Sequence, residues 1–134
     1  MGTGVITEVS LKSMRTNIDG VEETLIVAIE GDLIIGSVRC GGLDRESAYI
    51  RDLFVRKNYR LRGVAKQLVV VCTNEAFLSE CESIGLQVSG DNRGAIEFYK
   101  KVGFLPAYEY DDGSKLMSMQ LRDRLQGRGH ETDR

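Results

Sequence analysis

The stretch from residue 48 to residue 88 limits what this chain can fold into more than any other. It opens with an expected strand over residues 48–55, with Arg51 and Asp52 near its middle and the apolar run Leu53-Phe54-Val55 at its end, and passes through a turn at residues 57–61. A long helix is expected from about residue 62 to 78, followed by a short strand at 83–88. A strand–helix–strand unit of this length needs a crossover, so its two strands pair in parallel. The helix rests on Val64, Leu68, Val71, Cys72, Glu75 and Leu78, spaced i, i+4, i+7 and apolar except for Glu75. Val69-Val70-Val71 favours a strand locally. The length of the segment, and the lack of Gly or Pro after Gly63, favour the helix.

Antiparallel pairs surround this unit. Residues 5–14 alternate loosely between apolar and polar, as a strand does. Residues 15–22, with Asn17, Asp19 and Gly20, are expected to form a connection. Residues 24–29 and 33–39 flank a turn at Glu30-Gly31-Asp32 and predict a hairpin. Residues 40–46 read as a loop. A second helix starts at Asn92 or Asp91 as its cap and stops at Gly103, with Phe104 available for the accompanying apolar contact. Residues 105–110, a turn at Asp111-Asp112-Gly113 and residues 115–121 form a closing hairpin. The expected fold is α/β of the mixed α+β kind: a central mixed, mostly antiparallel sheet of about seven strands with helices on its faces. At 134 residues the chain fits one domain over residues 1–122, with a polar tail at 123–134.

Composition narrows the function. The net charge is −2 and basic residues are scattered, so no nucleic-acid partner is expected. No apolar stretch is long enough for a membrane span, and the N-terminus lacks the pattern of a signal peptide. Cys40, Cys72 and Cys81 show no Cys-x-x-Cys spacing and are expected to be buried free thiols, which suits a cytoplasmic location. His130 is the only histidine and falls in the polar tail, so neither a metal site nor a histidine triad is expected.

Two segments carry chemistry. Arg60-Leu61-Arg62-Gly63-Val64-Ala65 follows a strand and heads the long helix. Gly63 and the small Ala65 let the backbone approach a ligand, and a helix start presents unpaired N–H groups and the positive end of its dipole. Backbone donors from about Leu61 to Ala65, aided by Arg60 or Arg62, therefore suit a diphosphate. The simpler reading is a basic loop with a glycine at a helix start. The pattern is neither a Walker A loop nor a Gly-x-Gly-x-x-Gly fingerprint. The second segment, residues 92–104, places Asn92 at a helix start and Tyr99 two turns along the same face. Asn92 can be a cap alone, and Phe98 and Tyr99 can be core aromatics.

Together these segments resemble the GCN5-related N-acetyltransferase (GNAT) family. In that family Arg/Gln-x-x-Gly-x-Gly/Ala binds the diphosphate of acetyl-CoA, and Asn-x-x-Ala-x-x-Phe-Tyr-x-x-x-Gly-Phe serves the pantetheine arm and supplies a catalytic Tyr. The resemblance implies a GNAT-like acyl-CoA N-acyltransferase fold whose central parallel strands splay around the cofactor. It implies cofactor contacts from Leu53, Phe54 and Val55, from Arg60, Leu61, Arg62, Gly63, Val64 and Ala65, and from Asn92 and Tyr99. Tyr99 would protonate the leaving thiolate. A free phenol titrates near pH 10, so it stays a donor at neutral pH. The implied reaction is acetyl transfer from acetyl-CoA to a primary amine by direct attack. A non-catalytic acyl-CoA-binding or regulatory module on the same fold is the alternative.

The acceptor side departs from the family pattern. Relatives often carry Glu-Asp-Leu on the strand before the phosphate loop, whereas this chain has Arg51-Asp52-Leu53. Asp52 is the candidate base, with Glu22, Glu23 and Tyr49 as further possibilities. Asp52 could instead only pair with Arg51. Relatives also place two helices between the first two strands, and here only about ten residues, 14–23, are available. A partner subunit completing the site, most simply in a homodimer, or a large acceptor such as a protein amine would account for the gap.

Overall fold

The computed structural model describes residues 8–122. Its elements run β1 (Val9–Ile18), β2 (Val21–Glu30), β3 (Leu33–Gly41), β4 (Ser47–Val55), a short 3-10 turn (Lys57–Tyr59), α1 (Val64–Leu78), β5 (Ser83–Val88), α2 (Arg93–Val102), β6 (Leu105–Glu109) and β7 (Lys115–Gln120). The seven strands form one sheet in the order β1-β2-β3-β4-β5-β7-β6. Only β4 and β5 run parallel, as the crossover requires. The expected tail at 123–134, His130 within it, and the first residues of the expected opening strand lie outside the described residues.

The interval between the first two strands is shorter than expected. Residues 15–18 continue β1, β2 begins at Val21, and only Asp19-Gly20 turns the chain. Both turn residues have positive φ, 53° and 82°, which fits the primed turn of a two-residue hairpin. The Gly20 N–H also donates to Asn17 Oδ1 at 3.1 Å. Thr16, Ile18 and Val21, all good strand formers, draw the expected loop into the sheet.

Buried side chains of both helices share a single core cluster with alternate strand residues, among them Ile26, Ala28, Val38, Cys40, Ala48, Ile50, Ile84, Leu86 and Met117. Since strand residues alternate between faces, Glu23, Leu25, Arg39, Tyr49 and Arg51 point to the opposite face. Both helices thus lie on one face, and the described residues place no helix on the other. Helix α1 starts at Val64 rather than Arg62 and buries Val64, Leu68, Val69, Cys72 and Ala76. Its stripe is turned slightly from the expected one, leaving Leu78 exposed. All three cysteines are free and buried, as expected. No helix of the described residues is long and apolar enough to cross a membrane.

Candidate active site

The two parallel strands separate almost as soon as they meet. β4 pairs with β5 only through Ser47–Ser83, Ala48–Ile84 and Tyr49–Gly85. Beyond these rungs β4 continues through Val55 and β5 through Val88 without further pairing. The backbone edge that includes Leu53, Phe54 and Val55 is therefore free on the β5 side. A bulge accompanies the separation: Arg51 pairs with Arg39 and Phe54 with Ser37, so Asp52 and Leu53 together face Val38. Asp52 has φ of 57°, in the left-handed region that Asp tolerates better than most residues.

The phosphate-loop candidates gather where β4 ends. Gly63, with φ of 80°, is the N-cap of α1, and Leu61 also has positive φ, 66°. The first helical bond runs from Gln67 N to Gly63 O. The backbone N–H groups from Leu61 to Lys66 consequently have no acceptor among the described residues. A Cβ built on Gly63 meets nothing within 4 Å, so open space lies beside Gly63. Arg60 donates its Nε to Val55 O at 3.0 Å, which ties the loop to the strand end. Arg62 stacks over the Tyr59 ring, 4.9 Å from its centroid. The row of donors, the helix dipole and the open space fit an anionic diphosphate without recourse to either arginine.

On α2, Asn92 is the cap: its Oδ1 accepts from Ala95 N at 3.0 Å. Gly103 and Phe104 close the helix by donating back to Tyr99 O, at 3.1 and 2.9 Å, and Phe104 is fully buried. Tyr99 is only 8% exposed and packs edge-on between Phe98 and Phe104, with ring centroids 5.1 and 5.7 Å away. Its hydroxyl makes no hydrogen bond among the described residues. Nor is the oxygen fully buried: among the described residues only Arg122 Nε is a fully buried side-chain polar atom without a partner. The ring is therefore core while the oxygen retains access to solvent. Burial pushes the phenol above its ordinary range, and the nearby Cys72 adds to this, so Tyr99 is held as a donor.

Asp52, the candidate base, has a side chain 62% exposed, and its Oδ2 accepts from Arg51 Nη1 at 2.7 Å. Arg51 also grips Glu23 in a bidentate pair, Nε to Oε2 and Nη2 to Oε1, both at 2.7 Å. Tyr49 donates its hydroxyl to the same Oε2 at 2.6 Å. These bonds, the Arg51 one foremost, hold the Glu23 carboxyl below its usual range although burial opposes the shift. Burial and the bond to Glu23 push Tyr49 up. Glu23 is thus a firmly ionised carboxylate spent on two partners, which suits it poorly to general-base work. Glu22 makes none of these hydrogen bonds but lines a cleft of about 220 Å³ together with Glu23 and Gly41, and with Arg15, Thr24, Glu75 and Ser79. That cleft sits at the far end of α1 from the phosphate loop, roughly 22 Å at 1.5 Å per residue.

Gly41 carries no sign in the sequence but is required here. A Cβ on it would lie 2.4 Å from the Tyr49 hydroxyl. Only a glycine lets Tyr49 lie across β3 to reach Glu23 on β2.

Comparisons with known proteins agree with this geometry. The family model described as acetyltransferase (GNAT) family matches residues 7–104. The chain is 34% identical over 76 residues to N-alpha-acetyltransferase MAK3 of Arabidopsis thaliana, covering 54% of this chain and 40% of that protein. It is 31% identical over 97 residues to acetyltransferase SG1711 of Sodalis glossinidius, covering 72% of this chain and 64% of that one. It therefore spans only part of the length of these relatives. A GNAT family acetyltransferase from Elizabethkingia anophelis, solved with acetyl-CoA bound, superposes with a TM-score of 0.72 at 16% identity, covering 84% of this chain and 98% of the other. Sheet order, early separation of β4 from β5 and the family match lead to one conclusion: the chain belongs to the GNAT acetyltransferase family, whose cosubstrate is acetyl-CoA.

Proposed function

We propose that the protein is an acetyl-CoA-dependent N-acetyltransferase that acetylates a primary amine, with a protein amine as the favoured acceptor. The observation that carries this reading is the row of N–H donors without acceptors at Leu61–Lys66, beside a strand edge left free by the early end of β4–β5 pairing. The donors take the diphosphate, and the free edge at Leu53, Phe54 and Val55 pairs with the amide-bearing pantetheine arm as a strand would. Acetyl-CoA brings the thioester. Tyr99 gives its proton to the departing sulfur. An alkyl ammonium is neutral in only about one molecule in a few thousand at pH 7, given a pKa near 10.4. Asp52, at the bulge beside the slot, receives the proton that the amine sheds. Asn92 adds a hydrogen bond to the cofactor arm from the part of its amide not used in capping.

The face without helices supports an extended acceptor. It leaves Met14, Ile18 and Val21 exposed near the β1–β2 hairpin, and such a patch suits a covering partner, most simply a second copy in a homodimer. A relative named as an N-alpha-acetyltransferase is in keeping with a protein amine. Free buried thiols suit a reducing, cytoplasmic setting.

One observation favours a second reading, a non-catalytic acyl-CoA-binding module. Arg51 stands where relatives often carry an acid, and it occupies Glu23 and one oxygen of Asp52. Calorimetry with acetyl-CoA, against adenosine diphosphate as comparison, followed by an amine panel monitored by thiol release, separates the two. Micromolar binding that depends on the pantetheine arm, with thiol release, supports the enzyme. Binding without release to any amine supports the module, and no binding at millimolar ligand overturns both.

A further inference from the structure

The proposed reaction uses neither Glu23 nor Arg51 of the polar network on the open face, and yet that network touches the bulge of β4. Glu23 of β2 is 4% exposed in its side chain and reaches over β3, where Gly41 offers no obstruction. Both its oxygens are taken by Arg51 and one also by Tyr49. Arg39 stands by at 3.9 Å from Oε1. From Arg51 the chain of contacts runs on to Asp52 at 2.7 Å. Asp52 is the left-handed residue of the bulge, and Tyr49 is the last residue of β4 paired with β5. The network therefore grips β4 on both sides of the point where it parts from β5.

Neighbouring strands lie about 4.8 Å apart, so Glu23 spans two strand intervals. Bidentate Arg–carboxylate geometry fixes direction as well as distance. Arg51 is thus held from one side by a buried carboxylate and holds Asp52 on the other. A left-handed non-glycine residue persists where its surroundings over-determine it. Beyond the bulge Phe54 and Val55 stay paired with β3, and their other edge, no longer paired with β5, faces the slot.

We propose that Glu23 and Arg51 are positioning residues: with Asp52 they form an ion-paired clamp that holds the β4 bulge and so sets the pantetheine-binding edge of the slot. In this chain the arginine that replaces the family's acid is then a structural part of cofactor recognition. The inference rests on the acetyl-CoA reading above.

The clamp touches the strand edge but not the phosphate loop, so its loss separates two ligands. Arg51→Gln is expected to weaken acetyl-CoA binding roughly tenfold, in line with coupling energies of contacting residues, while adenosine diphosphate binds within about twofold of wild type. Glu23→Gln should match it, and the double variant should cost no more than either single one. Gly41→Ala, which crowds the Tyr49 hydroxyl, is a third route to the same loss. Arg51→Lys, keeping charge without the fork, should recover only part of the affinity. Equal weakening of both ligands, additive losses in the double variant, or unchanged acetyl-CoA affinity would overturn the clamp while wild-type binding stands. Failure of wild type itself to bind acetyl-CoA would remove the reading beneath it, and the clamp with it.

Discussion

The helix-bearing face and the open face of the sheet are built by different means. On the first, each element of the cofactor site is made by neighbours in sequence. Gly63 heads α1, Asn92 caps α2, and Gly103 and Phe104 stop it. On the second, Glu23, Gly41, Tyr49 and Arg51 come from three strands and meet only through the sheet register. The first half relies on backbone donors and the second on ionised side chains. Backbone donors tolerate changes of side chain so long as the required φ is available. An ion-paired network depends on every member, because removing one leaves a buried charge without its partner. Perturbing the two halves should accordingly give different signatures.

The largest effect is expected at Gly63. Gly63→Glu places a carboxylate before the row of N–H donors at a φ of 80°. The left-handed strain costs about 1–2 kcal/mol, and no neighbour lies within 4 Å of the new Cβ, so the fold should persist. Acetyl-CoA binding should fall by more than about a hundredfold, since repulsion replaces a helix-terminus anion site. Calorimetry alongside a melting curve checks both parts. Retained affinity in a folded variant would mean that the diphosphate binds elsewhere.

Tyr99→Phe comes next and tests chemistry rather than binding. Turnover should drop roughly a hundredfold, the lower end for loss of a general acid, with acetyl-CoA affinity within about twofold. The ring stays in its slot between Phe98 and Phe104, so stability should hardly change. A variant turning over like wild type would remove Tyr99 from the reaction.

How much the sequence reveals follows the same division. The order of elements, the β5 span, the Asn92 cap and the Gly103 stop are legible because each is a local backbone requirement with a matching residue. The parallel pair is legible because a crossover demands it. The early separation of β4 and β5 is not, because pairing over three rungs or over all six residues of β5 has the same composition. The β1–β2 turn was open to recognition: Asp19-Gly20 between strand formers is a hairpin signal, obscured by the polar residues around it. Gly41 and the pairing of Arg51 with Glu23 were beyond reach, since they depend on register across β3. An Arg-Asp dipeptide on a strand does not announce a partner 28 positions upstream.

The smallest effect, and the one that isolates the open face, is the response of stability to pH. The Glu23 carboxyl sits below its ordinary range, chiefly through Arg51. A carboxylate lowered on folding stabilises the protein above its unfolded pKa, about 4.3, and loses that contribution as pH falls through the lower folded value. Tyr49 is shifted the other way, so its part is complete below about pH 10 and lost as pH rises through the raised value. The network should thus contribute a constant amount from about pH 5 to 9. Other carboxylates titrate in acid as well, so melting temperatures of wild type and Glu23→Gln must be compared at each pH. Their difference should stay flat through neutrality and shrink below about pH 4, as the wild-type carboxylate takes up its proton. A gap that persists unchanged to pH 3 would mean that the cost of the substitution is one of packing alone. The cofactor half should give no such signature, because backbone N–H groups do not titrate.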